Sequence, residues 1–268
     1  MSRLILTIPL LFFLLFGFAG CKKELKREEP AENETAVTAG TRASYSYIKP
    51  DDKYEFPDMS HLKGIAVPLR FNALQMPNDV LTNISTAGLL ETCLDFPYLL
   101  LMFTYNDYQM GFELGLLATF NGFRELMERP DLADALIRKS YDLRFNVANN
   151  MILKYEEEKR FSFRYFVLEF IIAQDVVIEN LSEEQVRTLL LLAFENSKIK
   201  KSNPDIFGGW HYVSRALLFA KIVRNDNQIR ADMRGTLDNF IRAPRPVGQG
   251  VSNYLEDYIK DKFNIVEL

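Results

Sequence analysis

Ser182-Glu183-Glu184-Gln185-Val186-Arg187-Thr188-Leu189-Leu190-Leu191-Leu192-Ala193-Phe194 is the stretch whose reading sets the fold class. Ser182 followed three residues later by Gln185 is a capping box, in which two side chains satisfy each other's backbone N–H groups at a helix start. Val186, Leu189, Leu190, Ala193 and Phe194 then recur on one helical face. Glu183 and Glu184 at the beginning, and Lys198, Lys200 and Lys201 at the end, suit the helix dipole.

Working outward, Pro130 and Asp131 open a second helix with Leu132, Ala135 and Leu136 inward. Ser85 or Thr86 caps a third that runs through Cys93 and is ended or kinked by Pro97. Asn106 is placed to cap Asp107 to Phe120, a segment apolar almost all round and so expected at the centre. Gly111 and Gly115, four apart on it, would let a neighbour approach closely. Phe161 to Ile178 reads as helix, although its Phe, Tyr, Val and Ile content also suits a strand. Tyr212, Ala216, Phe219, Ala220 and Val223 share a helical face, and Tyr254 to Phe263 forms the last helix after the Pro- and Gly-rich turn from Ala243 to Gly250. About eight helices, no β-hairpin and no fixed-period repeat predict an all-α domain over 60–268, as an irregular helical bundle or an α-α superhelix.

Composition agrees with a folded domain: 48% of the 268 residues are hydrophobic and 25% charged, which excludes a wholly disordered chain. Lys and Arg number 32 against 36 Asp and Glu, and no basic stripe of the kind that tracks phosphates is visible, so nucleic acid is not an expected partner.

The N-terminus carries the sharpest signal. Met1-Ser2-Arg3 precedes an uncharged run from Leu4 to Phe16, then Gly17-Phe18-Ala19-Gly20-Cys21, then Lys22-Lys23-Glu24. A positive start, a short apolar stretch and small residues before a break read as a signal peptide over 1–20, shorter than the roughly 20 apolar residues a spanning helix needs. Ala19-Gly20-Cys21 resembles the lipobox of bacterial lipoproteins, with Phe18 departing from the usual Leu. The resemblance implies a diacylglycerol thioether and an acylated amine on Cys21, giving a membrane-anchored protein exported to the cell envelope, outer membrane ahead of inner. No other cofactor is expected. Residues 21–59 then read as the lipidated Cys, a Lys/Glu-rich flexible tether, and an extended strap from Tyr45 to Pro57 whose Tyr45, Tyr47, Tyr54 and Phe56 dock on the domain. With Cys21 lipidated, Cys93 has no intrachain partner, and its apolar neighbours read as those of a buried thiol.

Motifs for phosphate loops, hydrolase elbows, zincins and EF-hands are absent, and His61 and His211 are the only histidines, too few for a His-rich zinc site. The candidate constellation is Gly208-Gly209-Trp210-His211-Tyr212-Val213-Ser214-Arg215. His211 and Arg215 share a helical face, and a polysaccharide lyase needs a cation for a uronate and a His or Tyr for the α-proton. The competing reading is an aromatic helix entry packed on the core. Glu113 and Glu169 lie in apolar segments, where burial would raise a carboxyl pKa; alternatively each pairs with a buried basic group such as Arg164, Arg124 or Arg138, or simply faces water. A Cys93–His211 dyad has nothing in the sequence to bring it together.

Leu90-Glu91-Thr92-Cys93-Leu94-Asp95-Phe96-Pro97, Tyr105 to Phe112, Phe120 to Leu126, Ala173-Gln174-Asp175 and Phe207-Gly208-Gly209 together resemble a pattern in exported bacterial proteins of unknown function, over about 60 to 225. The resemblance implies one helical domain and no catalytic residues. Three functions follow as expectations: an anchored module that binds another envelope protein without catalysis; a glycan lyase-like enzyme using His211, Tyr212 and Arg215; and a small-ligand binder with an aromatic-lined pocket between helices.

Overall fold

A buried helix that carries charged residues organises the domain. Helix His211–Ile222 has Val213, Ala216, Leu217, Leu218, Phe219 and Ala220 buried, and Ser214, Arg215 and Lys221 are buried with them. Its apolar residues fall on every side, so it has to be surrounded, and four longer or shorter helices plus a C-terminal one close around it.

The computed structural model describes residues 51–149, 155–207, 211–244 and 249–265. In chain order the helices are α1 (Val67–Ala73), α2 (Asn78–Asn83), α3 (Thr86–Leu94), α4 (Tyr108–Met110), α5 (Asn121–Met127), α6 (Leu132–Asn149), α7 (Tyr155–Ile172), α8 (Asp175–Ile178), α9 (Glu183–Ser202), α10 (His211–Ile222), α11 (Asn227–Met233), α12 (Gly235–Arg242) and α13 (Gln249–Lys262). A 3-10 turn at Met59–Leu62, a 3-10 segment at Leu99–Thr104 and a π-helix at Gly111–Leu117 complete the regular structure. Among the described residues there is no strand, and the fold is an all-α bundle. These residues belong to one compact unit. The signal segment, Cys21, the tether, Tyr45 and Tyr47 lie outside the described residues, as do Gly208, Gly209 and Trp210. No helix among the described residues is long and apolar enough to cross a membrane.

Packing runs in two groups. Helix α10 lies against α7, α8, α9, α12 and α13, while α6 bridges α3, α7 and α9, and α3 packs on α5. A superhelix would leave each helix touching only its chain neighbours, and α10 surrounded on all sides is the bundle arrangement.

Two capped starts read from the sequence are present. Ser182 makes the full capping box on α9, whose Leu189, Leu190, Ala193 and Phe194 are buried. Ser85 caps α3, its hydroxyl accepting from the Gly88 N–H at 3.1 Å. Leu132, Ala135 and Leu136 of α6 face the core. Residues 161–178 are helical, and break at Ala173–Gln174 into α7 and α8. Helix α13 begins five residues before Tyr254. The described residues hold thirteen α-helices where about eight were expected, because α1, α2, α5, α11 and α12 span only six to eight residues each and show too little periodicity to register.

The segment from Asp107 differs from expectation in three ways. Asp107, not Asn106, is the cap, its carboxylate accepting from the Met110 N–H at 2.8 Å. After one α turn the chain widens into the π-helix. The segment is not enclosed all round: Phe112, Leu116 and Phe120 are fully buried, while Leu114 is 51% exposed and Met110 38%. The close approach read from its glycines is real: a Cβ on Gly111 would stand 1.9 Å from the Met102 carbonyl oxygen, and one on Gly115 would stand 3.1 Å from the Leu101 carbonyl.

The strap docks through its described aromatics. Tyr54 is buried and its N–H donates to Thr92 Oγ1 at 2.9 Å. Phe56 lies on Phe96 and Phe120, which stack on each other with centroids 4.7 Å apart.

Gly111→Ala drives a methyl group into backbone that cannot swing away, and is expected to cost about 2–3 kcal/mol in urea denaturation. Gly250→Ala in α13, where nothing lies within 4 Å of the new Cβ, is expected to be neutral or to stabilise by up to about 1 kcal/mol.

Candidate functional site

Of the sequence-predicted cluster, Arg215 belongs to a buried ion network. Arg215 projects from α10 toward α13, where its Nη2 meets Glu256 Oε2 at 2.9 Å and Ser252 Oγ at 3.4 Å. Lys260 and Lys201 approach the other oxygen of Glu256 at 3.2 and 3.7 Å. The Arg215 guanidinium lies 5.7 Å from the Tyr212 ring centroid, so the structure does bring these two candidates together. His211 starts α10, and its side chain lies outside the described set.

Glu169 of α7 anchors the neighbouring half of the network. It is buried, accepts from the Ser214 hydroxyl of α10 at 2.6 Å, and pairs with Lys200 from the last turn of α9. The partner is therefore Lys200, not Arg164, Arg124 or Arg138, because the C-terminal turn of α9 brings its lysine inward over α7. Burial pushes the Lys200 ammonium pKa down, and outweighs the attraction of Glu169. Glu113, by contrast, is exposed and accepts from Gln109 Nε2 at 2.7 Å. Cys93 is fully buried in α3, and burial pushes its thiol pKa well up, so no thiolate is available for a dyad.

Glu169, Lys200, Tyr212 and Arg215 line a cavity of about 20 Å³. That is room for about one water molecule, not for a sugar ring. The Arg215 Nε is buried without a hydrogen-bond partner, and a single water is the size of acceptor that fits. With Arg215 committed to Glu256, the geometry serves to hold α7, α9, α10 and α13 together.

A much larger feature lies at the other end of α7. A groove of about 1230 Å³ runs between the strap, the Leu94–Leu100 corner after α3 and the first described side chains of α7. Tyr54, Leu94, Phe96 and Leu99 form its buried floor; Phe56, Met59, Leu100, Phe161 and Phe163 line it at partial or greater exposure. A second hollow of about 280 Å³, sharing Leu94, Phe161 and Arg164, continues it toward Lys139 and Leu168.

Facing i,i+4 pairs on two helices charge this groove. Glu91 and Asp95, at the end of α3, oppose Arg160 and Arg164 on α7. Arg164 bridges both carboxylates, with Nη2 2.8 Å from Glu91 Oε2 and Nη1 3.1 Å from Asp95 Oδ1. Lys53 reaches Asp95 at 2.8 Å, Arg160 stands 3.8 Å from it, and Lys139 pairs with Glu91. The hydrogen bond to Asp95 foremost holds the Lys53 pKa above its ordinary value, against desolvation.

Sequence reasoning missed this site. The signal was present as two i,i+4 pairs of opposite charge, but nothing in a single sequence says that residues 91–95 face 160–164. Among the described residues no group of three or more His, Cys, Asp and Glu could hold a metal ion. No family model, no curated protein and no solved structure matches this chain.

Removing one partner from a buried ion pair costs about 3–5 kcal/mol. Lys200→Met is expected to lose stability in that range, and Lys200→Met with Glu169→Gln to lose less than the single change, since the amide still accepts from Ser214. Equilibrium urea unfolding of the two variants checks both.

Proposed function

We propose that this chain is a bacterial lipoprotein, anchored to an envelope membrane through lipid on Cys21, whose helical domain is an interaction module that docks another envelope protein. The observation that carries the docking part is the open groove of about 1230 Å³ with its partly exposed apolar lining. Small-molecule sites are typically enclosed and about 300–1,000 Å³ in volume. A trough this long and open suits a segment of polypeptide better. The anchoring part rests on the charged start, the apolar run and Ala19-Gly20-Cys21. Acyl chains contribute about 0.8 kcal/mol for each buried CH₂, so more than one on a single residue supports stable attachment. The outer membrane is favoured over the inner as the site of display.

Two measurements on the full chain in a bacterial host test the reading. Metabolic labelling with a palmitate analogue is expected to mark the protein, and Cys21→Ala to abolish the label. A photo-crosslinking residue at Leu100, which lines the groove and is 52% exposed, is expected to yield one reproducible protein adduct. The same residue at Leu191, exposed on α9, is expected to yield none. An unlabelled wild type removes the anchor; equal adducts from both positions remove the docking groove.

A further inference from the structure

We propose that the groove binds an acidic peptide segment in which carboxylates alternate with apolar side chains; this rests on the interaction-module reading and adds the chemistry of the partner. The charges in the groove are unequal. Among the described residues that line it, three cations, Lys53, Arg160 and Arg164, stand with two carboxylates, Glu55 and Asp95, an excess of one positive charge. Glu55 lies 3.5 Å from Lys53, and in the adjoining hollow Lys139 pairs with Glu91.

Arg160 concentrates that excess. Its side chain is 61% exposed, its contact with the Asp95 carboxylate is long at 3.8 Å, and Nη2 donates to the Asp95 carbonyl at 3.1 Å. A guanidinium presents five donors in a planar fork that matches a carboxylate. An incoming carboxylate on Arg160 therefore gains a charge-assisted bidentate contact without dismantling Arg164, which already spans Glu91 and Asp95.

Apolar residues stand beside these cations within the same trough. Phe56, Leu100, Phe161 and Phe163 line the groove together with Lys53, Arg160 and Arg164. A flat anionic lipid surface would meet the cations and leave a concave aromatic floor unfilled. An extended chain with acidic and apolar side chains reaches both. The steering from the excess charge raises the association rate and makes binding salt-dependent, while the apolar contacts hold the complex.

The test uses the full-length chain in zwitterionic nanodiscs and three fluorescein-labelled peptides of about a dozen residues, sharing one Leu/Phe pattern with Glu, Gln or Lys between. The Glu peptide is expected to bind at least about tenfold more tightly than the other two, with affinity falling as salt rises. Arg160→Glu and Leu100→Glu are each expected to weaken it about tenfold or more with melting temperatures unchanged, because both side chains are exposed. Equal binding of the Gln peptide, or no effect of Arg160→Glu, overturns the acidic specificity while loss on Leu100→Glu leaves the groove reading standing. Arg160-dependent binding of phosphatidylglycerol vesicles with no binding of the Glu peptide overturns the proposal in favour of a lipid surface. If neither substitution matters and the Leu100 crosslink also fails, the interaction-module reading falls with it.

Discussion

Burying a polar or charged side chain obliges the rest of the protein to supply its partner, and helix α10 imposes that obligation three times. Ser214 requires Glu169 of α7, Arg215 requires Glu256 of α13, and Lys221 meets Asp175 at the start of α8 at 3.3 Å. Apolar packing alone would let these helices slide or rotate past one another at small cost. The polar contacts fix each helix at one register around α10, since a slip of one turn would leave a buried charge unpaired. The Lys200–Glu169 pair extends the same constraint to α9. Breaking such a pair costs more than forming it gains, so buried pairs serve the register of packing more than net stability.

The two charged clusters of the domain divide by exposure. Around α10 the buried cations Lys200 and Arg215 meet the buried carboxylates Glu169 and Glu256, with Lys201 and Lys260 at the rim of Glu256, and the space left is that of about one water. At the groove the most exposed cation, Arg160, sits at an open edge. A closed cluster has no room for a ligand and an open one does. That contrast, more than any single distance, is why the groove and not the His211–Arg215 segment is the better place to look for function.

The sequence made the longer elements legible and left their arrangement hidden. Caps at Ser182 and Ser85 are local devices, so a single chain displays them. Phe161 to Ile178 was ambiguous between helix and strand because it is buried on nearly all sides and loses the periodic contrast that marks a half-exposed element. The centre was misassigned for a related reason. The Asp107 to Phe120 segment reads as apolar almost all round, whereas α10 carries Ser214, Arg215 and Lys221, which look solvent-facing until their partners on α7, α13 and α8 are known. Tyr212 and Arg215 do come together, as their spacing implied. What spacing could not reveal is that Glu256, 41 positions further on, occupies the guanidinium.

The strap has a mechanical consequence. Tension along the residues before Asp51 would enter the domain at Tyr54, whose ring is buried and whose backbone is tied to Thr92 in α3. The load then falls on the contacts of Phe56 with Phe96 and Phe120. The groove has the same strap as one wall, so pulling on the chain would strain the groove lining.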